Sequence, residues 1–518
     1  MRRLGKVLLT LLTALLVLAA LLAWRIHTWG RPVPVVYQRI AVTPADAESG
    51  RSYTYLRLGA APGEPKRFVT LDTDGDGTID LVLNAGSAAA SFPRPQADDP
   101  ETRWLVICLD GVPYEVLLSL WEEGYFREFL RPVPVISTFP SDSETALTDI
   151  FHTGPVPGYE HRTFDRNQNR LTGGAFITLS EENIPYLALL DYDMGGLFKG
   201  LAYALPRKSY RADLGRLRQR FLASHENIYL AHIASVDSLY HILRPQEMLP
   251  LLQEVDSLLR ELYFDAQGKL RITVFSDHGN SLVASGPVPL AEVLAANGWR
   301  LRASLREPRD VVVPAYGLVG FLAAYCAPEE RAVLASILAQ IEGVDLAVYR
   351  EANGVVLESA RGRARLLWRE EGAAFKYQPL SGDPLQLLPL QAKLRQEEKV
   401  DGQGWVADAD LLRTTRNHVY PDPGFRLRAW ATNHVRNRAD VLVSLQPGYY
   451  YGSSIFQGIV HIYSTHGGLD RAQTLGFIMS TDGPLRGAVR SRDLLPKNLA
   501  EDKLLRGAPE KKKPENRN

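Results

Sequence analysis

The chain has 518 residues, with Lys+Arg and Asp+Glu both at 59, so no global field draws it to nucleic acid or to acidic partners. With 45% hydrophobic and 23% charged residues it is neither disordered nor collagen-like, and its length predicts several domains around a sizeable core. Cys108 and Cys326 are too few for a disulfide scaffold or a thiolate metal cluster; they read as small buried hydrophobes, with one disulfide between them left open.

At the N-terminus, Arg2, Arg3 and Lys6 precede an uncharged apolar run over 7–24, long enough for a signal sequence or a short transmembrane helix. No small-x-small cleavage site and no lipidation cysteine accompany it. The run is therefore expected to be an uncleaved single-pass anchor in the cell membrane, with the catalytic body extracytoplasmic. A secreted or periplasmic form after cleavage is the alternative.

A small β unit is expected over 31–98. Within it, the stretch 71–81 places Asp72, Asp74, Asp76 and Asp80 at positions 1, 3, 5 and 9 of a loop, with Gly77 at position 6. That spacing converges hard oxygen ligands as the first part of a calcium loop does, although the acidic residue at the twelfth position is missing. One Ca in a clipped hairpin is expected, against a plain Asp/Gly turn.

From Trp104 the pattern becomes α/β. Apolar strand runs over 104–109, 228–233 and 270–275 alternate with amphipathic helices such as 246–263, and polar residues gather after each strand, at the edge where open α/β sheets build sites. A catalytic unit is expected over 99–300 and 416–500. It is interrupted by an inserted α+β subdomain over 301–415, in which Tyr316, Phe321 and Tyr325 either shape a leaving-group pocket or fill the core. The basic, proline-containing stretch 501–518 reads as a solvated disordered tail.

Four strand-end segments carry chemistry: Leu109-Asp110-Gly111, Asp237-x-x-x-His241, Ser276-Asp277-His278-Gly279 and Thr465-His466-Gly467-Gly468. Each alone is weak. Together they supply what hydrolysis of a phosphate ester requires of two divalent ions, with imidazole and carboxylate suiting zinc. One ion takes Asp237, His241 and His466; the other takes Asp110, Asp277 and His278 and leaves a place for a hydroxyl nucleophile. The hydroxyl belongs to the loop and helix start over 137–148, where free N–H groups favour phosphate. Ser141-x-x-Glu144 also fits a capping box, which would make Ser141 an N-cap.

The ordered set of Leu-Asp-Gly, Thr138-Phe139-Pro140-Ser141, Thr153-Gly154, Asp-x-x-x-His, Ser-Asp-His-Gly and His-Gly-Gly resembles the alkaline phosphatase superfamily, in its type I phosphodiesterase/nucleotide pyrophosphatase branch. The resemblance implies a central, mostly parallel sheet flanked by helices, and the two metal sets above. It also implies hydrolysis of a phosphate ester through a covalent intermediate. For the nucleophile, the Thr-Phe-Pro pattern points to Thr138, whose spacing to Gly154 is longer than the family's. Matching Phe-Pro-Ser-x-Thr instead selects Ser143, which would also ligate the metal beside Asp110, with Thr145 and then Thr138 as alternatives. Asn167 stands where the family places a phosphate-contacting Asn, near Arg162 and Arg166. Transfer to a lipid or envelope acceptor, or a catalytically silent surface binding protein, are the alternative functions.

Overall fold

The computed structural model describes residues 28–44, 51–58, 67–73, 78–85, 92–95, 101–174, 184–369, 373–432, 435–458, 461–483 and 487–499, together with 17, 20, 24 and 503. Its centre is a six-stranded sheet in the order Ile228–Ile233, Arg103–Leu109, Leu270–Phe275, Leu475–Ser480, Val133–Ile136, Val489–Arg490. Only Leu475–Ser480 runs against the others, so the sheet is mixed but mostly parallel, as expected. The first three strands are near-continuous apolar runs because both their faces are covered. Leu105, Ile107 and Leu109 point into one core, and Trp104, Val106 and Cys108 into the other.

The first of these cores is closed by the helix Pro245–Asp265. Proline in its first turn and Glu247, whose side chain accepts from the Arg244 N–H at 3.1 Å, start it. Met248, Leu251, Leu252, Val255, Leu258, Leu259 and Leu262 form its buried stripe. Its far side carries an antiparallel five-stranded sheet built from Tyr37–Pro44, Arg51–Arg57, Arg67–Leu71, Leu81–Ala85 and Phe92–Pro93. Phe264 is the contact point: Tyr37 and Tyr55 meet its ring edge-on, with centroids 5.0 and 5.5 Å away. Beneath them the buried Arg260 pairs with Glu128 at 2.8 Å and Asp256 at 2.6 Å. Phe264→Ala is expected to cost about 3–5 kcal/mol and to release the five-stranded sheet to protease. An unchanged urea midpoint with unchanged proteolysis would show that the sheet is not held through this ring.

The other face of the central sheet is covered by the helix Ser143–Ile150 and by a seven-stranded sheet. That sheet runs Phe321–Ala324, Val441–Leu445, Val344–Glu351, Gly354–Ser359, Gly362–Arg369, Ala374–Gly382, Val406–Ala407. Val441–Leu445 pairs on both sides with strands from the expected insertion, so the boundary drawn at 415 cuts through one sheet. Strand pairing joins residues about a hundred positions apart, which local composition does not register.

Several expectations at the periphery need correction. No helix among the described residues is long and apolar enough to cross a membrane, so the expected N-terminal anchor and the membrane placement built on it are not supported. The 7–24 run is at the short end of the roughly 17–25 residues a spanning helix needs, and its hydropathy measures a preference to leave water, not a commitment to cross a bilayer. Apart from Val17, Ala20 and Trp24, that run lies outside the described residues, as do Asp74 and Asp76 of the calcium loop and all of 501–518 except Lys503. In that loop the Asp80 carboxylate accepts from the Thr73 N–H at 2.7 Å and from Arg94 at 3.0 Å, so its charge is already matched by a guanidinium just after the neighbouring strand Phe92–Pro93. Cys108 and Cys326 are both buried and free, and no disulfide joins them.

Candidate active site

Parallel strands end on the same edge, and the register that sets Phe275 beside Cys108 carries Asp110 and Asp277 past the sheet together. Gly111 turns the chain there with φ +69°, where a Cβ would stand 2.7 Å from the Asp237 carboxylate. The helix Ser235–Ile242 presents Asp237 and His241 one turn apart on one face, 3.0 Å from each other. His466 arrives from the loop before Arg471–Thr474.

The expected ligand positions converge. Ligand atoms of Asp110, Asp277 and His278 lie within 4.8 Å of one another, and so do those of Asp237, His278 and His466. His241 joins the second group through Asp237, and the rings of His278 and His466 stack at 4.0 Å, so the two groups share a wall.

The tautomers are set by the backbone. His241 Nδ1 lies 3.0 Å from the Ser464 carbonyl oxygen, His278 Nδ1 2.9 Å from that of Gly279, and His466 Nδ1 2.9 Å from that of Ser141. A carbonyl only accepts, so each Nδ1 donates its hydrogen and each Nε2 is the ring nitrogen turned toward the carboxylates. Asp277 Oδ1 accepts from the Gly111 N–H at 3.2 Å, while Oδ2, fully buried, has no hydrogen-bond partner. Three carboxylates, three oriented imidazoles and an orphaned buried oxygen are a donor set that fits divalent cations.

Ser143 is the hydroxyl at this cluster. It opens its helix behind Asp142, which is the N-cap and accepts from the Glu144 N–H at 3.3 Å. Its Oγ donates to Asp110 Oδ1 at 3.1 Å and lies 3.3 Å from His278 Nε2. The competing hydroxyls are used elsewhere. The Thr138 and Thr145 hydroxyls lie 2.8 Å apart, each within reach of the Pro140 carbonyl at 2.8 and 3.0 Å, so one donates to that carbonyl and the other to its neighbour or to the same oxygen, and Ser141 Oγ reaches the Gly468 carbonyl at 3.0 Å. Ser141 is thus a tie between the nucleophile loop and the His466 loop, not the helix cap.

The cluster opens into a cavity of about 230 Å³ walled by Glu144, Glu160, His161, Tyr186, Tyr203 and Tyr316. Burial would raise Glu144, but His161 at 3.0 Å overcomes it and brings the carboxyl down to about 2. Glu160, pushed up by burial and by the charge of Glu144, rises to about 7 although the Gly317 N–H donates to it at 2.7 Å. Tyr316 lines the cavity as one of the two expected roles required, whereas Phe321 and Tyr325 are core. Asn167 is not brought to the site. It is exposed in the tip that joins Arg162–Asp165 to Arg170–Gly173, because the pairing of those strands turns it to solvent. Arg162 is exposed as well, and Arg166 pairs with Asp440.

Two contributors escaped the sequence. Arg426, wholly buried on the helix Pro423–Thr432, donates to the carbonyls of Thr138 at 3.0 Å and Leu469 at 2.8 Å and to Ser141 Oγ at 3.0 Å, which clamps the loop ahead of Ser143. His232 lies 3.0 Å from Asp110 Oδ2 and 2.9 Å from Asp193 Oδ1. Burial lowers its affinity for a proton, but the two carboxylates outweigh that and raise it to about 10. Its signal was a single imidazole inside the otherwise apolar run of Ile228–Ile233.

No family model matches the chain, and no curated protein matches it. Solved structures do. Human ectonucleotide pyrophosphatase/phosphodiesterase 5 is similar over 76% of this chain and 92% of its own, at 12% identity and a TM-score of 0.41. Phosphonoacetate hydrolase from Sinorhizobium meliloti 1021, in complex with phosphonoformate, is similar over 80% and 97%, at 13% identity and a TM-score of 0.43. The murine form of the first enzyme is similar over 76% and 93%, at 11% identity and a TM-score of 0.41. These neighbours are members of the alkaline phosphatase superfamily, which the ordered motifs of this chain resemble.

Proposed function

We propose that the chain is a metal-dependent phosphoric ester hydrolase, with Ser143 as the nucleophile that carries the phosphoryl group between two displacements. The observation that carries this reading is the presentation of three Nε2 atoms and the carboxylates of Asp110, Asp237 and Asp277 around one serine hydroxyl. Asp110, Asp277 and His278 would hold one ion, with Ser143 beside it, and Asp237, His241 and His466 the other; zinc suits the donor set. Bound there, the two ions would supply the positive charge that steadies the non-bridging oxygens and lowers the pKa of a hydroxyl.

The chain's own residues do the rest. Asp110 Oδ1 accepts from the Ser143 hydroxyl and aims its oxygen into the cavity. The helix that begins at Ser143 turns its positive end toward the same space, where an anionic phosphoryl group gains from it. Arg426 and Ser141 keep the preceding loop from moving. In the first displacement Ser143 Oγ gives up its proton and attacks phosphorus, and the bond to the ester oxygen breaks so that the alcohol leaves toward the tyrosine-lined end; in the second a water attacks the same phosphorus, the bond to Ser143 Oγ breaks, and the serine regains a proton as the phosphate product is released. No expected ligand position has lost its side chain, which speaks against a silent binding protein.

The test is turnover of bis-p-nitrophenyl phosphate and p-nitrophenyl phosphate by the whole chain with zinc added. Release of p-nitrophenol from at least one ester, abolished by a chelator and restored by metal, is expected. A chain that binds two metals per molecule yet leaves both esters intact would move the reading to phosphoryl transfer; a chain that binds none would end it.

A further inference from the structure

His232 has a place in the site that its strand alone does not explain. It is 3% exposed, and the parallel register with Arg103–Leu109 sets it opposite Cys108, so its ring reaches the end of the strand that delivers Asp110. Both of its ring nitrogens meet carboxylate oxygens, Asp110 Oδ2 at 3.0 Å and Asp193 Oδ1 at 2.9 Å. Ionised carboxylates only accept, so both nitrogens donate and the ring has no lone pair to offer an ion.

Asp193 is itself held. Its Oδ2 accepts from the Gly195 N–H at 3.0 Å and pairs with Lys199 Nζ at 2.9 Å, and the neighbouring Tyr192 carbonyl accepts the His232 N–H at 2.9 Å. Lys199, Asp193, His232 and Asp110 thus alternate in charge along one line that ends at the site, which is how a buried ionic chain avoids an uncompensated member. The two oxygens of Asp110 are divided as a result. Oδ2 is taken by His232, and Oδ1 alone faces Ser143 Oγ at 3.1 Å and His278 Nε2 at 3.4 Å.

We propose that His232, backed by Asp193, is a positioning residue that keeps Asp110 turned so that only Oδ1 is offered to the metal and to the Ser143 hydroxyl. Without it the carboxylate would rotate about its last torsion, which has broad and shallow preferences, and present both oxygens or neither. The inference rests on the reading of Asp110 as a metal ligand.

The test uses the full chain and cobalt(II) as the probe, with affinity from competition titration, coordination from visible absorption, and melting of the metal-free proteins alongside. His232→Ala is expected to weaken cobalt binding by roughly 10–100-fold and to alter the absorption bands. His232→Gln, which keeps a donor on the side chain, should recover part of both, and Asp193→Ala should fall between. If His232→Ala melts too low to titrate, Asp193→Ala, which retains the imidazole, decides. Wild-type affinity and bands in whichever of these two variants folds would reduce His232 to core filling. Asp110→Ala separates the two levels: should it lose one ion while the His232 variants stay wild-type, the positioning role alone falls; should it bind two ions at wild-type affinity, the ligand reading falls and takes this inference with it.

Discussion

Ser143→Ala is expected to lower diester turnover by on the order of ten-thousand-fold while the protein still folds and still binds metal. The size reflects removal of a nucleophile that acts as one unit with its activating groups, where the residual rate comes only from binding and charge stabilisation. Folding survives because of the position: Ser143 is half-buried, the helix is capped by Asp142, and the buried groups its hydroxyl meets keep other partners, Asp110 with His232 and His278, and His278 with the Gly279 carbonyl. Nearby hydroxyls do not substitute, since Thr138 and Thr145 are buried and bonded to each other and to the Pro140 carbonyl. Initial rates with and without zinc, together with metal content, check this. A variant that keeps its rate within tenfold would hand the role to another group, and Thr145→Ala would be the next measurement.

Asp277→Ala is expected to lose one of two ions and on the order of a thousandfold in turnover, and yet to melt no lower than the metal-free wild type. Asp277 is 0% exposed, its Oδ2 has no hydrogen-bond partner, and Asp110 adds a second negative charge beside it. Without a cation, burial pushes the Asp277 carboxyl upward, with Asp110 adding to the push and His278, His232 and the Gly111 N–H opposing it, the response of a charge whose desolvation is only partly compensated. Removing the side chain removes that cost from the metal-free fold, whereas in the metal-loaded protein it removes a ligand. Zinc at a hundredfold excess over its Kd should stabilise the wild type by about 2.7 kcal/mol for each site that binds only the folded state. Calorimetry of both proteins with metal and with chelator reads all four states. A wild type whose melting temperature ignores metal and chelator alike would contradict the metal centre itself.

The elements around the site were legible because their signals are local. The runs over 104–109, 228–233 and 270–275 are apolar on both faces and had to be strands buried on both faces; they appear as Arg103–Leu109, Ile228–Ile233 and Leu270–Phe275. The polar residues after them had to lie at one edge. Asp237 and His241, four apart, had to share a helix face if the segment was helical. Asn167 was misjudged because it was placed by analogy of position, and the hairpin that carries it points away from the cavity. The anchor finds no support because it rested on hydropathy, which speaks of partition, and a partition preference does not say what a segment does.

Sequence alone determined which residue types are available for the chemistry and in what order they come: Asp110, Ser143, Asp237, His241, Asp277, His278 and His466 stand out by side-chain type and by their places near strand ends or helix starts. Tertiary structure decided how they act. That each Nε2 faces inward depends on carbonyls of Ser464, Gly279 and Ser141, two of which belong to other loops. That Ser143 and not Thr138 or Thr145 meets Asp110 depends on where a helix begins and on Arg426, which grips the Thr138 carbonyl from 288 residues away in sequence. Only folding brings such pairs within about 3 Å, because backbone carbonyls carry no sequence identity and long-range hydrogen bonds leave no periodic trace in the chain that makes them.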